Sequence, residues 1–194
     1  MAHFYAYLNR MKLIERWSLM HSVRKENVQE HSLQVAVIAH ALALIKNKYF
    51  DGNVDANKIA TMAIFHDASE VITGDLPTPI KYFNPKIEDA YHAIENYAME
   101  KLLSYLPEEL REEYKGLLTQ ENCDPEETVL VKAADTLSAY IKCMEEKTAG
   151  NNEFNRARIS LENKIRSYKR PEVDHFMANY INSFSLTLDE LSTP

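Results

Sequence analysis

The stretch that decides the fold is NVQEHSLQVAVIAHALALIKNK, residues 27–48. Asn27 and Glu30 have the spacing of a capping box, with the carboxamide at the N-cap and the carboxylate three residues on. Apolar side chains then recur at intervals of three and four residues, which predicts an amphipathic helix. His31 lies on this apolar stripe. The stretch therefore predicts a core helix with an ionisable side chain on its buried face.

Further signals for helix starts and ends follow along the chain, and the sequence shows no alternating strand pattern. Further helices are predicted from Asp55 to just before Gly74, from Asn84-Pro85 to about Tyr105, from Pro107 over a short segment, from Asp124-Pro125 to Gly150, and over residues 152–168 and 173–183. Glycine is scarce, with 4 in 194 residues, where average usage would give about 14. We predict an all-α fold over residues 1–194, a single bundle of six to nine helices. Its core spans about 28–140, and outer helices come from the N-terminal segment and residues 150–194.

Charge and composition restrict the partners. A net charge of −7 argues against a nucleic-acid polymer, because neutralising phosphates needs a broad basic face. Cys123 and Cys143 lack C-x-x-C spacing, so we expect free thiols in a reducing compartment. The N-terminal residues do not resemble a signal peptide. The apolar run 33–45, interrupted by Gln34 and His40, is too short to cross a bilayer. We therefore expect a cytoplasmic protein without a membrane partner.

Three predicted helices carry ionisable residues on otherwise apolar stripes. These residues are His31 on the first, His66, Asp67 and Glu70 on the second, and Asp135 on the third. Burying such groups costs several kcal/mol unless a partner compensates them. A shared divalent cation does so for imidazoles and carboxylates together, because each group gains a coordination bond. On one continuous helix, His66 and Asp67 would lie about 100° apart, with Glu70 one turn further on.

Five short strings surround these residues. They are Arg16-Trp17, Glu30-His31-Ser32, His66-Asp67-Ala68-Ser69-Glu70-Val71, Thr73-Gly74-Asp75-Leu76-Pro77-Thr78-Pro79 with Lys81, and Lys132-Ala133-Ala134-Asp135. Together they resemble the HD-domain metal-dependent phosphohydrolases, and within that superfamily the bacterial 5'-deoxynucleotidases. The resemblance extends over essentially the whole chain. It implies an HD-domain bundle that works as a homodimer and hydrolyses 2'-deoxynucleoside 5'-monophosphates to deoxynucleoside and phosphate.

The resemblance also implies a set of site residues. The metal positions are His31, His66, Asp67 and Asp135, and the substrate positions are Arg16, Trp17, Asp67, Asp75, Leu76, Pro77, Thr78 and Asp135. Two imidazoles and two carboxylates leave positions open on one octahedral ion, which is typical of a catalytic site. Cobalt, manganese or nickel fits this ligand set. Such an ion lowers the pKa of a bound water and polarises the phosphorus.

Three residues are the predicted catalytic groups. Arg16 would neutralise the phosphate, because its planar fork suits phosphate oxygens. Glu70 would orient or deprotonate the attacking water, or protonate the 5'-oxygen, although it can instead support a histidine through a hydrogen bond. Asp75 lies just after Gly74 in a turn stiffened by prolines. The placement of Trp17 against the sugar rests on the resemblance alone.

Two other functions stay open. An HD-domain hydrolase can act on a nucleoside triphosphate or a cyclic nucleotide, and assays with those nucleotides separate these activities. A non-catalytic helical module stabilised by a structural metal is the other alternative. Glu70 and the open coordination positions argue against it, since a structural site needs neither.

Overall fold

The computed structural model describes residues 3–81, 83–119 and 123–192, without the side chains of Thr78 and Pro79. The helices in these ranges are α1 (Phe4–Leu8), α2 (Val28–Tyr49), α3 (Ala56–Phe65), α4 (Glu70–Thr73), α5 (Thr78–Lys81), α6 (Pro85–Leu103), α7 (Glu108–Thr119), α8 (Pro125–Thr148), α9 (Asn155–Ser167), α10 (Pro171–Asn179) and α11 (Leu188–Leu191), with 3₁₀ helices at Asn9–Leu13 and Ile181–Ser185. Seven of the α-helices have nine or more residues. The described ranges contain no strand, and their one isolated β-bridge joins Glu15 and Asn27. The predicted all-α bundle is confirmed.

Helix α2 is the central helix of the larger core. The Asn27 side chain accepts a hydrogen bond from the backbone N–H of Glu30 at 3.0 Å, as the capping spacing predicts. The buried face of α2 packs against α3, α8 and α10. Leu42 on α2, Ile59 on α3 and Leu137 on α8 are fully buried there. The burial of this stripe fixes the orientation of the helices that carry the ionisable residues.

Helix α2 is also longer than the apolar run 33–45 suggested. By length and composition it is the one helix of the described chain that could cross a membrane, so the expectation of a run too short to span is not met. However, 56% of its most apolar window is buried inside the bundle. Burial against neighbouring helices on one face is what the core helix of a globular protein shows.

The segment after α3 departs from the prediction of one continuous helix up to Gly74. Helix α3 ends at Phe65, and residues 66–69 form turns before α4 begins. In these turns backbone N–H groups reach three residues back, as from Glu70 to the Asp67 carbonyl at 3.0 Å. Such a tighter path changes the direction of successive side chains relative to an α-helix. The prediction of one continuous helix from Asp55 to Gly74 is therefore wrong at residues 66–69.

A second, smaller core cluster supports these turns from the other side. Ala68 is buried in it together with Phe4 of α1 and Leu102 of α6. Through Ala68 the turn is anchored to this smaller cluster, whose other buried residues include Phe4 of α1, Leu102 of α6 and Leu118 of α7. Cys123 and Cys143 are free, as expected.

Candidate active site

The ionisable residues that interrupt the three apolar stripes lie close together between α2, the turn after α3, and α8. His31 Nε2 lies 3.1 Å from Asp135 Oδ1 and 3.6 Å from Asp67 Oδ2. His66 Nε2 lies 3.1 Å from the same Asp67 oxygen. One ligand atom each from His31, His66 and Asp67 falls within 4.8 Å of the others. The structure thus brings together all four predicted ligand positions.

The two imidazoles are oriented by their other ring nitrogens. His66 Nδ1 lies 2.7 Å from the Ala63 carbonyl, and His31 Nδ1 lies 3.1 Å from the Ser138 hydroxyl. Because a carbonyl only accepts, His66 Nδ1 donates and its Nε2 points into the cluster. Both Nε2 atoms are buried without a hydrogen-bond partner among the described residues. A buried histidine held through one nitrogen, with the other directed at carboxylates, fits the requirements of a metal ligand.

The charges of this cluster depend on one another. Burial lowers the pKa of His66, but the adjacent Asp67 outweighs it and raises that pKa to about 9. Burial and the Arg16 charge lower the pKa of His31. Burial raises the pKa of Asp135, but its close contact with His31 Nε2, 3.1 Å away, outweighs burial and lowers that pKa to about 2. In the metal-free protein a proton on His66 balances the carboxylates, and a cation would compete with that proton.

Arg16 borders the cluster on the side of the N-terminal segment. Its Nη1 lies 3.3 Å from Asp67 Oδ2, and its Nε donates to Glu26 Oε2 at 3.1 Å. Burial lowers the pKa of Arg16, yet the nearby carboxylates, Asp67 first among them, outweigh this and hold it above its ordinary value. The site therefore keeps a buried, permanently charged guanidinium beside Asp67.

Trp17 has an unusual backbone. Its φ of +58° is in the left-handed region, which costs an L-residue about 1–2 kcal/mol. The indole Nε1 donates to Glu26 Oε2 at 3.1 Å. The ring packs edge-on against Phe154 with the centroids 5.3 Å apart. Strain of this kind persists only where the surroundings hold it, and it clusters at functional sites.

Glu70 and Asp75 lie at the two ends of α4. Glu70 Oε2 is buried with no hydrogen-bond partner in the described chain. Burial, followed by the charges of Asp67 and Asp75, raises the pKa of Glu70 to about 10. Asp75 follows Gly74, whose φ of +72° ends α4. Burial also raises the pKa of Asp75, against the opposing charge of Arg16.

The turn after Asp75 is only partly described. Leu76 and Pro77 are half-buried, and the Pro77 carbonyl accepts a hydrogen bond from the Ile80 N–H at 2.8 Å. Thr78 begins α5, and its predicted side-chain contact lies outside the described part of the chain. Its backbone nevertheless continues directly from the loop that carries Asp75.

A family model described as 5'-deoxynucleotidase YfbR-like matches residues 3–184. The chain belongs to the YfbR-like 5'-deoxynucleotidase family. A 5'-deoxynucleotidase of Yersinia pseudotuberculosis is 58% identical over 192 residues, covering 99% of this chain and 98% of the relative. A 5'-deoxynucleotidase of Yersinia pestis is 57% identical over the same shares. The resemblance inferred from the short strings is confirmed.

The fold of this chain is similar to the folds of solved HD-domain phosphohydrolases. An HD-domain phosphohydrolase from Listeria innocua has a TM-score of 0.83 at 20% identity, covering 98% of this chain and 92% of that one. The HD phosphohydrolase of cyanophage S-2L, solved with dA and one catalytic Zn²⁺, has a TM-score of 0.67 at 21% identity, covering 94% and 96%. At these identities the likeness establishes the shared fold.

Three residues that hold side chains of the YfbR-like site were not predicted from the sequence: Ser138, Gln34 and Glu26. Ser138 donates to Gln34 Oε1 at 2.6 Å, so its oxygen accepts from His31 Nδ1. The spacing of three residues between Asp135 and Ser138 on one helix was a usable signal. Glu26 holds both Arg16 and Trp17. No local pattern marks Glu26, because its partners lie across a loop.

Proposed function

We propose that this chain is a metal-dependent 5'-deoxynucleotidase, which hydrolyses 2'-deoxynucleoside 5'-monophosphates to deoxynucleoside and phosphate. One observation carries the proposal: two buried imidazole nitrogens without hydrogen-bond partners point at carboxylates beside the Arg16 guanidinium. Family membership supports the reaction class. The names of the Yersinia relatives support the deoxynucleotide substrate.

His31, His66, Asp67 and Asp135 would hold one divalent cation. When bound, such an ion supplies a water of lowered pKa and Lewis-acid polarisation of the phosphoryl group. The Zn²⁺ in the cyanophage phosphohydrolase supports a transition-metal ion at this position. Cobalt, manganese and nickel remain the candidates that the ligand set suggests.

The chain's own residues bind the substrate and manage its proton. Arg16 binds the phosphate oxygens, because a buried guanidinium neutralises charge on a transferred phosphoryl group. Glu70 holds a proton, consistent with its pKa of about 10 in the metal-free protein, and donates it to the 5'-oxygen leaving group. Asp75 orients the substrate at the start of the turn that continues through Leu76, Pro77 and Thr78.

Trp17 forms the wall against the sugar. A deoxyribose offers no 2'-hydroxyl for recognition, so an enzyme selects it by penalising the hydroxyl when it is present. A bulky apolar ring does so, because the hydroxyl loses its water there without gaining a partner. Trp17 adjoins Arg16 in the chain, and its ring is held by Phe154 and Glu26.

The experiment that tests this function measures phosphate release from dAMP, AMP, dATP and cyclic AMP. Bound metal is first removed with a chelator, and single divalent ions are then added back. We expect dAMP hydrolysis to disappear and return with an ion, and to exceed AMP hydrolysis by roughly 10²-fold in kcat/KM. Preferred cleavage of the triphosphate or the cyclic nucleotide would replace the monophosphate assignment. Metal-dependent folding without hydrolysis of any of the four would favour the structural module.

We further propose that residues 1–194 form one HD-domain unit, which works in the cytoplasm as a homodimer without a nucleic-acid or membrane partner. Leu33, Val37 and Leu44 project from the outer face of α2 and are exposed. A largely apolar groove of about 580 Å³ runs beside the last two, between α2, α10 and the 3₁₀ helix at Ile181–Ser185. A second copy presents the same stripe, so a symmetric contact would cover both.

Light scattering tests the dimer. We expect a dimer for the parent and a monomer for Val37→Glu, because a charge at the centre of the stripe opposes its burial. A parent that stays monomeric at high concentration would exclude the homodimer.

A further inference from the structure

Two side chains assigned to different parts of the substrate share one hydrogen-bond acceptor. Glu26 Oε2 accepts from Arg16 Nε at 3.1 Å and from Trp17 Nε1 at 3.1 Å. The Glu26 and Arg16 side chains are only 12% and 13% exposed. The reaction proposed above gives Glu26 no task, although it contacts the groups assigned to the phosphate and to the sugar.

The backbone holds Glu26 opposite these two residues. The Arg16 N–H donates to the Glu26 carbonyl at 2.9 Å, and the Val28 N–H donates to the Ile14 carbonyl at 3.0 Å. These bonds join the segment before Trp17 to the start of α2. The carboxylate is therefore fixed to the same helix that carries His31, and its position relative to the candidate metal site is set by that helix.

Trp17 depends on this carboxylate more than an ordinary tryptophan would. Its left-handed φ of +58° must be maintained by contacts outside its own backbone. The packing on Phe154 supports the ring from one direction. The hydrogen bond to Glu26 fixes the indole nitrogen, which is the one polar atom of the ring.

We infer that Glu26 is a positioning residue that couples phosphate binding to discrimination against the 2'-hydroxyl. Because both donors converge on one oxygen, the guanidinium and the indole keep a constant separation. The 5'-phosphate and the 2'-carbon of a nucleotide are likewise joined by a short bonded path, so a fixed separation favours one sugar placement. This inference rests on the proposed function, which assigns Arg16 and Trp17 to the substrate.

Glu26→Ala and Glu26→Gln test the inference, with Glu15→Gln as the control. Glu15 lies in the same segment, but its carboxylate is exposed and pairs with the exposed Lys25 at 2.7 Å. We expect Glu26→Ala to raise KM for dAMP by about tenfold or more and to reduce the dAMP-to-AMP ratio of kcat/KM by about tenfold, since it removes hydrogen bonds to a charged group and to the ring. Glu26→Gln keeps an acceptor oxygen, so we expect it to retain the ratio within about threefold. Glu15→Gln should match the parent.

Fluorescence supplies a readout that does not depend on turnover. Trp17 is the single tryptophan, so emission and acrylamide quenching report its ring alone. We expect greater quenching in Glu26→Ala at unchanged metal content, and parent-like quenching in Glu26→Gln. Glu26→Leu, which keeps most of the side-chain volume, replaces Glu26→Ala if the latter does not fold.

The outcomes separate the inference from the function. A variant without the carboxylate that retains the parent's KM, ratio and quenching would overturn the role of Glu26. An equal loss of the ratio in Glu26→Gln would also overturn it, because charge rather than positioning would then be responsible. If the parent does not hydrolyse dAMP, the proposed function fails. The quenching comparison would still decide whether Glu26 holds Trp17.

Discussion

Two clusters of buried charge lie about three turns apart along α8, and they are built differently. At the first, Asp135 faces His31 and His66, whose Nε2 atoms have no hydrogen-bond partner among the described residues. At the second, Glu146 is 2% exposed and its carboxylate is saturated with hydrogen bonds, so we call this the saturated cluster and the first the unsaturated cluster. It accepts from the Val23 N–H at 2.8 Å, the Arg24 N–H at 3.2 Å, Lys142 Nζ at 2.6 Å and Asn151 Nδ2 at 2.7 Å.

The difference separates a structural cluster from a ligand site. Burying a charge is tolerated when hydrogen bonds replace its lost hydration, as at Glu146. The cluster around Asp135 replaces only part of that hydration, so it has donor atoms left for a partner from outside the chain. Burial of charge alone does not identify a site. Unsatisfied, converging ligand atoms do.

The largest expected effect is at the unsaturated cluster. His66→Ala should lose its metal and reduce dAMP hydrolysis to the background rate, because it removes a proposed ligand. Elemental analysis and phosphate release measure this. A variant that retains the parent's metal content contradicts the ligand assignment.

Glu70 should separate chemistry from metal binding within the same cluster. We expect Glu70→Ala to retain its metal and lower kcat by about 10²–10⁴-fold, the range for loss of a general acid–base group. Glu100→Ala, at an exposed glutamate of α6, is the control and should be unchanged. Metal content and turnover are measured on the same sample. Joint loss of metal and activity would make Glu70 a ligand or its support.

The saturated cluster should show the opposite behaviour. Glu146→Ala should lower the free energy of unfolding by about 3–5 kcal/mol, because Lys142 is left buried without its carboxylate. The folded variant should still bind metal. Urea unfolding measures the loss, and Glu162→Ala, which breaks partly exposed pairs with Arg158 and Arg166, should cost no more than about 1 kcal/mol. An unchanged urea midpoint in Glu146→Ala would contradict the structural role.

The Glu146 carboxylate also makes the contribution of the saturated cluster to the free energy of unfolding depend on pH. Burial raises the pKa of Glu146, but Lys142 and the other donors outweigh it and lower the pKa from 4.5 to about 2. A depressed folded-state pKa contributes stability that is complete above about pH 4.5 and is lost as the pH falls towards 2. The stability difference between parent and Glu146→Ala should therefore shrink between pH 5 and pH 2.5, measured by urea unfolding. A difference that stays constant over this range would contradict the shift.

The smallest effect is expected at Ser138, which orients a ligand without contacting the metal. Ser138→Ala should weaken metal affinity by about 10–100-fold, the range for supporting partners of a ligand histidine. Ser32→Ala is the matched control, because its buried hydroxyl has no partner among the described residues. Chelator competition measures both. Equal affinities in the two variants would exclude an orienting role for Ser138.

The sequence by itself determined the helices and the residue types of the site. The caps at Asn27, Asp55, Asn84 and Asp124 accept backbone hydrogen bonds as predicted. Capping and apolar periodicity are local, involving residues within one or two turns, so a pattern in the chain suffices to predict them. The same periodicity identified His31 and Asp135 as candidate site residues, because each interrupts an apolar stripe that the core must bury.

Tertiary structure decided how those residues face one another. The turn at residues 66–69 replaces the predicted helix, with Ala68 buried in the second core cluster and the Ala63 carbonyl bound by the His66 ring. No local pattern distinguishes this turn from a continuing helix, because packing supplied by distant residues sets its stability.

The placement of Glu26 and Trp17 is the clearest case of tertiary control. The loop between them is anchored at Val23 by Glu146, 123 residues later in the chain. The left-handed backbone at Trp17 and its bond to Glu26 lie at the two ends of this anchored loop. Hydrogen bonds across such separations depend on the packed helices that bring the partners together. The sequence therefore determined which groups the site contains, and the packing of α2 against α8 decided their geometry.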